Sequence, residues 1–571
     1  MRSEQASAEL LGAMSKLLSE VRDVPLRLDA PEVDEIRKIQ AEVVDQLSDY
    51  VLPRLVQLDA PLLTVVGGST GAGKSTLVNS LVGERVTESG VLRPTTRSPV
   101  LVHHPDDAEW FLPDRILPDL PRTDVPSNDT YALRLATSDK IPQGLAILDA
   151  PDVDSIDKGN RELAAQLLAA ADLWLFVTSA ARYSDQVPWD YLRRASERST
   201  SVAVVLDRTS GDAVVEVRGH LARMMTSRGL SDSPLFTVPE SGVDIDGLLP
   251  HEAVKPIVGW LNELAADPEA RQMVVSRTLD GAVRHIVLRT HDIADAMDGQ
   301  IALSESLYRD VDTPYRNALE TFTRQSSDGT LLRGEVLARW QEFVGTGELL
   351  RSVEEKVSRI RDRFVDGMTG KRTRSKEIVD AIETSVAMLV VEQSETAAEA
   401  AARAWSESEA GRSLLANTRG LDRASREFRV KAERMVHDWR QAVLELVRVE
   451  GADKRMTAKF LAFGVNGIGV ALMIVMFSED GDGIEDSGTA ALGRKLLNAI
   501  FGEHAVDALV DKAHADLESR VAALLEGEMQ RYLEALDTPD TLKAGQAVLR
   551  ESARQAEYAR HADFLNGETT S

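Results

Sequence analysis

Eight residues, Gly68-Ser69-Thr70-Gly71-Ala72-Gly73-Lys74-Ser75, carry the clearest chemistry in this chain of 571 residues. They fit the pattern G-x-x-x-x-G-K-[ST]. Its glycines let the backbone wrap closely and point successive N–H groups at phosphate oxygens. In such a loop Lys74 reaches the β- and γ-phosphates and the Ser75 hydroxyl ligates Mg²⁺. Thr76 extends the phosphate-binding set into the next element. Leu62–Val66 precedes the loop as a short apolar run of buried-strand type, and Thr76–Val82 follows as a helix start, whose dipole favours an anion. The alternative is a Gly/Ser-rich turn that meets the pattern by chance, and the strand before and helix after weigh against it. The loop predicts a nucleoside triphosphate and leaves the base open.

Two further segments carry oxygen ligands in the order such a site needs. Leu92-Arg93-Pro94-Thr95-Thr96-Arg97-Ser98 places hydroxyls where a switch segment completes Mg²⁺ coordination and so responds to the γ-phosphate. Thr96 is the first choice and Thr95 the second, against a plain Pro-Thr-Thr turn. Ala146-Ile147-Leu148-Asp149-Ala150-Pro151-Asp152 ends an apolar run on Asp149, which fits the carboxylate that holds Mg²⁺ through water. GTP-dependent switches usually continue D-x-x-G, with the Gly amide sensing the γ-phosphate, and here Asp152 occupies that position. Its carboxylate could repel the phosphate, contact Mg²⁺, or point away while its N–H still senses. Base recognition is less defined. Where N-K-x-D is common, this chain has Asp207-Arg208-Thr209-Ser210, so Ser210 stands in place of the guanine-reading Asp. Arg208 could stack on a base, and Asp207 could read it in a shifted register. Ser241, after the next apolar run, lies where a loop usually touches the base.

These residues must be held by an α/β framework. Strand candidates Leu62–Val66, Ser98–His103, Leu145–Leu148, Leu173–Thr178, Val202–Leu206 and Leu235–Val238 alternate with helical stretches over 61–266, the pattern of a largely parallel sheet. Before it, 5–22 and 31–58 read as helices, the second with Val33, Ile36, Ile39, Val43, Leu47 and Val51 on one face. After it, proline almost disappears. Nineteen of 21 prolines lie at or before Pro268, and the 224 residues from 315 to 538 contain none. Proline costs a helix interior about 3 kcal/mol, so long helices are expected there. Narrow seams agree, namely Leu350–Val353–Val357–Ile360–Phe364, Phe428–Ala432–Met435–Trp439–Ala442–Leu446 and Val510–Ala513–Leu517–Val521–Leu524. They suit a coiled-coil-like stalk, and a compact helical domain fits the same periodicity.

Composition narrows the function classes. A length of 571 residues implies two to four domains. A net charge of −26 disfavours broad nucleic-acid binding. With no cysteine there is no disulfide, thiolate metal site or cysteine nucleophile. Met1–Ser19 lacks a secretory pattern, which points to the cytoplasm. The stretch from Phe460 to Phe477 has no charged residue; its 18 residues make about 27 Å of helix, borderline against a hydrocarbon core of about 30 Å. Lys454, Arg455 and Lys459 precede it and an acidic run follows. The expectation is a paddle dipping into one leaflet, with a buried core helix and a single transmembrane span as the alternatives. Lys371-Arg372-Thr373-Arg374-Ser375-Lys376 is a basic cluster suited to anionic lipid or to a solvated helix connection.

Taken in order, Gly-Ser-Thr-Gly-Ala-Gly-Lys-Ser, Arg-Pro-Thr-Thr-Arg and Leu-Asp-Ala-Pro-Asp, followed by a long helical half, resemble bacterial dynamin-like GTPases. The wording, with Leu332–Glu348, is closest to an actinobacterial branch. The resemblance implies an α/β P-loop GTPase head with a mostly parallel sheet, joined to a long all-α neck and stalk. On this division 1–59 joins the neck, 60–266 is the head, 267–456 the neck and stalk, 457–502 the membrane paddle, and 503–571 a returning helix and disordered tail. It further implies GTP hydrolysis with Mg²⁺ and self-association through the heads. A paired dynamin-like paralogue and peripheral binding to anionic membrane at the inner face of the cell membrane also follow from it. ATP stays open. Lys74, Thr70 and Thr96 would be catalytic, Thr70 as a polar side chain that orients water; Gly71 has none to offer. A soluble regulatory GTPase, or a slow-turnover nucleotide-binding scaffold, is the alternative.

Overall fold

A computed structural model describes residues 4–88, 98–112, 115–125, 129, 131–155, 157–198, 200–209, 214–332, 334, 336, 338–339, 367–452, 458–478 and 488–565. The chain forms two compact units, one of Met1–Leu26, Glu32–Gly299 and Leu542–Ser571, the other of Arg27–Pro31 and Gln300–Thr541.

The first unit is organised by a sheet that shows eight strands among the described residues. They are β1 (Leu62–Gly68), β2 (Val100–His103), β3 (Arg122–Thr123), β4 (Leu133–Thr137), β5 (Leu145–Asp149), β6 (Leu173–Ser179), β7 (Ser201–Thr209) and β8 (Leu235–Pro239), in the order β3-β4-β2-β5-β1-β6-β7-β8. From β5 to β8 neighbours are parallel, while β2 runs antiparallel to β5 and carries β4 and β3 with it. Strands β1, β5 and β6 are buried along their whole length. Their unbroken apolar runs are what a parallel sheet covered on both faces requires. The mostly parallel sheet agrees with the expected fold class.

Helices α1 (Glu4–Asp23), α2 (Val33–Gln46), α3 (Leu52–Val56), α4 (Lys74–Val82), α5 (Lys158–Ala169), α6 (Gln186–Glu197), α7 (Val214–Ser227), α8 (His251–Ala266) and the start of α9 (Pro268–Ser327) complete this unit with the C-terminal helix Pro539–Arg560 from Leu542 onward. A π-helical turn, Leu47–Val51, joins α2 to α3. Val33, Ile39, Val43, Leu47 and Val51 are buried as the seam predicts, with Ile36 at its margin. The chain ends are tied in by polar contacts. Ser7 Oγ donates to Asp563 Oδ1 (2.8 Å), and Gln546 Nε2 donates to the Ala294 carbonyl (2.7 Å). Arg560 Nη1 pairs with Asp280 Oδ1 at 2.6 Å.

Asp49, in the π turn, is 3% exposed and accepts a bond from Gln166 Nε2 at 2.7 Å. Burial pushes its carboxyl up to about 6, with Asp45 and Asp119 adding to the rise against the pull of Gln166 and Arg122. The folded state therefore binds this proton more tightly than the unfolded chain. The charged form is a cost at neutral pH, and stability rises as pH falls through 6 and levels off below about 4. Asp49→Asn is expected to stabilise the protein at pH 7 by at most about 3 kcal/mol. The gain should vanish near pH 4 in urea denaturation, and a gain independent of pH would contradict this account.

The second unit is helical among its described residues. Its helices are residues 300–327 of α9, Gly367–Glu407, Glu409–Asn417, Phe428–Glu450, Ala458–Met476, Gly488–Phe501 and Glu503–Leu533. Buried aromatic rings fill its centre. Trp405 meets Tyr532 edge-on at 5.1 Å, and Trp439 packs on Phe477 at 5.8 Å. Each indole N–H is satisfied, Trp405 by the Leu307 carbonyl (2.9 Å) and Trp439 by that of Ala513 (3.0 Å). Along Phe428–Glu450 the buried stripe is Phe428, Ala432, Val436, Trp439, Val443 and Val447. Three positions thus sit one residue later than in the strict heptad reading. The stripe follows steps of 4, 4, 3, 4, 4, nearer the natural α-helical period than a supercoiled seam. Val510, Ala513, Leu517 and Val521 are buried, and the stripe then continues through Leu525 instead of Leu524. The seam at 350–364 lies outside the described residues, as do 340–349 and the side chains of 371–375.

The uncharged stretch has a definite place. Ile468 and Val470–Phe477 are each at most 2% exposed and belong to the core of this unit. A Cβ on Gly469 would lie 2.6 Å from Leu444 Cδ2, so the glycine permits close helix packing. From 467 to 477 this is the buried-helix arrangement and not the expected paddle, while Gly464 breaks the helix (φ 65°, ψ 172°) and residues 463–466 are half-buried or exposed. Hydropathy reports only that a segment shuns water, and a large helical core meets that need as well as lipid does. Among the described residues no helix is long and apolar enough to cross a membrane.

Candidate functional site

The phosphate loop leaves β1 at Gly68 and enters α4 at Lys74. Two of its glycines are required by their surroundings. Gly68 has φ 149°, and a Cβ there would fall 2.0 Å from the Val177 carbonyl oxygen of β6. Gly73 has φ 92°, and its Cβ would fall 2.2 Å from Asp207 Oδ2. Gly71 also lies at positive φ, 74°. Ala72 N donates to the Ser69 carbonyl at 3.1 Å, closing the turn. Thr76 follows in the first turn of α4, where Ser80 Oγ donates to its carbonyl (2.7 Å).

Lys74 is 5% exposed and lies under the loop. Its ammonium donates to the carbonyls of Gly68 (3.1 Å) and Ser69 (3.2 Å) and forms a close ion pair with Asp152. Of the three roles open to Asp152 in the sequence, the structure shows a fourth, a carboxylate paired with the phosphate-loop lysine.

Asp149 ends β5 level with Val66 of β1 and is fully buried. Burial pushes its carboxyl up to about 6, although the Ser75 hydroxyl, the Lys74 ammonium and the Thr87 hydroxyl pull it down. Neither carboxylate oxygen has a partner in full hydrogen-bond geometry among the described residues, and the buried Ser69 hydroxyl is likewise unpartnered. Leaving buried polar groups short of well-formed hydrogen bonds costs up to about 1–3 kcal/mol each. A hard cation beside Ser75 and Asp149 would answer that cost, since Mg²⁺ takes one or two protein oxygens and completes its shell with phosphate and water. The residues present therefore fit Mg²⁺. Thr96 and Thr95, the other proposed ligands, lie outside the described residues.

A short segment after Asp149 runs along the loop. Ala150 N donates to the Val66 carbonyl (3.2 Å) and Val153 N to that of Gly68 (3.3 Å). Asp154 Oδ1 then accepts from both the backbone N–H and the hydroxyl of Thr70, each at 2.6 Å, while Asp154 Oδ2 pairs with Arg182 Nη1 at 2.8 Å. Asp154 and Arg182 escaped the sequence reading. The only hint was a second acidic residue two positions after Asp152, and nothing in the sequence marked Arg182, which sits in the turn after β6.

On the base side, Asp207 lies two residues before the end of β7 and is 4% exposed, with its carboxylate against Gly73 and its Oδ1 accepting from Arg208 N at 2.8 Å. Burial pushes its carboxyl up to about 6. Arg208 takes a left-handed conformation, φ 52°, and its side chain is 54% exposed. Ser241 Oγ turns back on the Pro239 carbonyl at 2.8 Å. Ser210 lies outside the described residues. The structure thus brings Gly68–Thr76, Asp149 and Asp207 together at the C-terminal edge of the parallel strands, the usual ligand edge of such sheets. Arg208, in the last residues of β7, and Ser241, just after β8, lie at the same edge.

No family model matches the chain. A probable transmembrane GTPase, FZO-like, chloroplastic, from Arabidopsis thaliana is 25% identical over 194 residues, which is 34% of this chain and 20% of that protein. The chain thus matches about a fifth of that relative's length. Among solved structures, an oligomerised bacterial dynamin pair described as providing a mechanism for long-range sensing and tethering of membranes aligns over 96% of this chain and 94% of its own. Its identity is 12% and its TM-score 0.36. The bacterial dynamin GTPase LeoA from ETEC aligns over 98% of each chain at 11% identity and a TM-score of 0.24.

Proposed function

We propose that the chain is a dynamin-like GTPase that couples GTP binding and hydrolysis to self-association and to contact with a membrane surface. The observation that carries this reading is the buried Lys74 beneath the phosphate loop, beside Ser75 and a fully buried Asp149 that the Lys74 ammonium and the Ser75 hydroxyl both pull on. On this reading Lys74 holds the β- and γ-phosphates, and the loop N–H groups cradle them. Ser75 and Asp149, with Thr96, hold Mg²⁺, which when bound neutralises charge on the phosphates. Thr70 positions water once its hydroxyl is free. Guanine is favoured by the switch-type order of Lys74, Thr96 and Asp149, and by the FZO-like GTPase match. Asp207 anchors the base loop to Gly73, and Arg208 and Ser241 flank the base.

Self-association through the GTPase heads, with a second copy or a paired dynamin-like chain, rests on the resemblance and on what is said of the solved bacterial pair. Peripheral association with anionic membrane rests on the same ground. It demands either that 467–477 leave the helical core or that another surface serve. Phosphate release measured with and without anionic vesicles tests the whole reading. Turnover that vesicles stimulate, with co-sedimentation, supports it. Turnover indifferent to vesicles and no co-sedimentation with or without GTP would remove the membrane part and leave a soluble regulatory GTPase. No turnover despite tight binding favours a scaffold, an outcome to which the Lys74–Asp152 pair lends weight.

A further inference from the structure

We propose that Asp152 is the specificity-determining residue for phosphate number, because its carboxylate occupies the γ-phosphate's place on Lys74 and sets the site to favour diphosphate over triphosphate. The inference rests on the nucleotide reading above. Lys74 has three protons, and in the structure they face the Gly68 carbonyl, the Ser69 carbonyl and the Asp152 carboxylate. A phosphate can take over from a carbonyl without repulsion. A γ-phosphate arriving at the third direction meets a carboxylate, and two like charges a few ångströms apart in a partly buried site repel strongly. A diphosphate leaves that third direction to Asp152. A triphosphate must expel it.

The expulsion does not stop at Asp152. Ser155 N donates to the Asp152 carbonyl (3.3 Å), and Val153 N donates to Gly68 (3.3 Å), so residues 152–155 form one turn against the loop. Asp154, in that turn, holds the Thr70 N–H and hydroxyl with one oxygen and Arg182 with the other. Moving Asp152 draws Asp154 away from Thr70. This frees a loop N–H for phosphate, a hydroxyl for water, and a guanidinium one carboxylate away from both. Where a glycine amide would sense the γ-phosphate by attraction, this chain senses it by displacement.

The test is equilibrium binding of GDP and of a β,γ-imido GTP analogue, with Mg²⁺, to the full chain and to Asp152→Asn and Asp152→Gly. The wild type is expected to bind GDP more tightly. Both variants should lower the ratio of triphosphate Kd to diphosphate Kd about tenfold or more, because the closed form no longer taxes triphosphate binding. Asp152→Asn keeps the residue's size, so agreement between the two separates charge from backbone freedom. An unchanged ratio in both variants, or an equal gain for both nucleotides, overturns the proposal while leaving the nucleotide site intact. Failure of the wild type to bind either nucleotide would instead overturn the site itself, and the proposal with it.

Discussion

Lys74→Ala is expected to lower nucleotide-dependent phosphate release by about 10²–10³-fold, the scale of losing one preorganised group at developing charge. The side chain is 5% exposed and is held by two loop carbonyls, so its ammonium is fixed before any phosphate arrives. Alanine removes that charge without filling the space. The fold should survive. Asp152, left behind, has a side chain 26% exposed and can turn to water. A thermal midpoint close to wild type, with turnover lost, is therefore the expected pair of results. Lys74→Arg keeps the charge but carries a planar fork that does not fit between the Gly68 and Ser69 carbonyls, and it should rescue little. Wild-type turnover in Lys74→Ala would mean that hydrolysis takes place elsewhere.

Asp172→Ala is expected to be among the most destabilising single changes, at about 3–5 kcal/mol. Asp172 precedes β6 with its side chain 1% exposed. Its carboxylate accepts from Leu63 N at 2.8 Å and Tyr50 Oη at 3.1 Å, and it pairs with Arg54 Nη2 at 2.9 Å. Its carbonyl accepts from Thr278 Oγ1 at 2.9 Å. One residue thus joins the N-terminal helices, the first half of β1 and α9. Burial raises its pKa against the pull of Arg54. A buried ion pair adds little net stability over apolar packing, yet breaking it leaves an uncompensated charge: among the described residues Arg54, itself 6% exposed, keeps the long carbonyl contacts of Gln57 (3.3 Å) and Pro61 (3.4 Å). Urea denaturation should show the loss, and Arg54→Met in the same chain should recover part of it. A single variant as stable as wild type would refute the role. The far end of β1 carries the phosphate loop, so nucleotide affinity should fall alongside stability.

Much of this architecture was legible because parallel strands buried on both faces leave no alternation, only short apolar runs. All six such runs became strands. Strands β3 and β4 were missed for the opposite reason. One is two residues long, and the other, Leu-Arg-Leu-Ala-Thr, is only buried at its first position. Nothing local could reveal that β2 runs against β5. The long helices after Pro314 announced themselves by lacking proline, although α9 itself carries Pro314 inside it, and which helix joins which unit depends on packing that heptads do not encode. Residues from Leu542 onward share a unit with the sheet, where the sequence suggested a returning stalk helix. The phosphate loop is a contiguous signature and could be read in one pass. Asp154 and Arg182 are far from Thr70 in sequence, 84 residues in the first case, and only the fold brings them to it.

The central claim is that the loop around Lys74 binds a guanine nucleotide. The most direct measurement is equilibrium binding of fluorescent GTP to the full-length protein with Mg²⁺, followed by competition with unlabelled GTP and ATP. Saturable binding that GTP displaces, that a large excess of ATP does not, and that Lys74→Ala abolishes is the predicted result. Binding displaced equally by ATP, or binding that persists in Lys74→Ala, would contradict it.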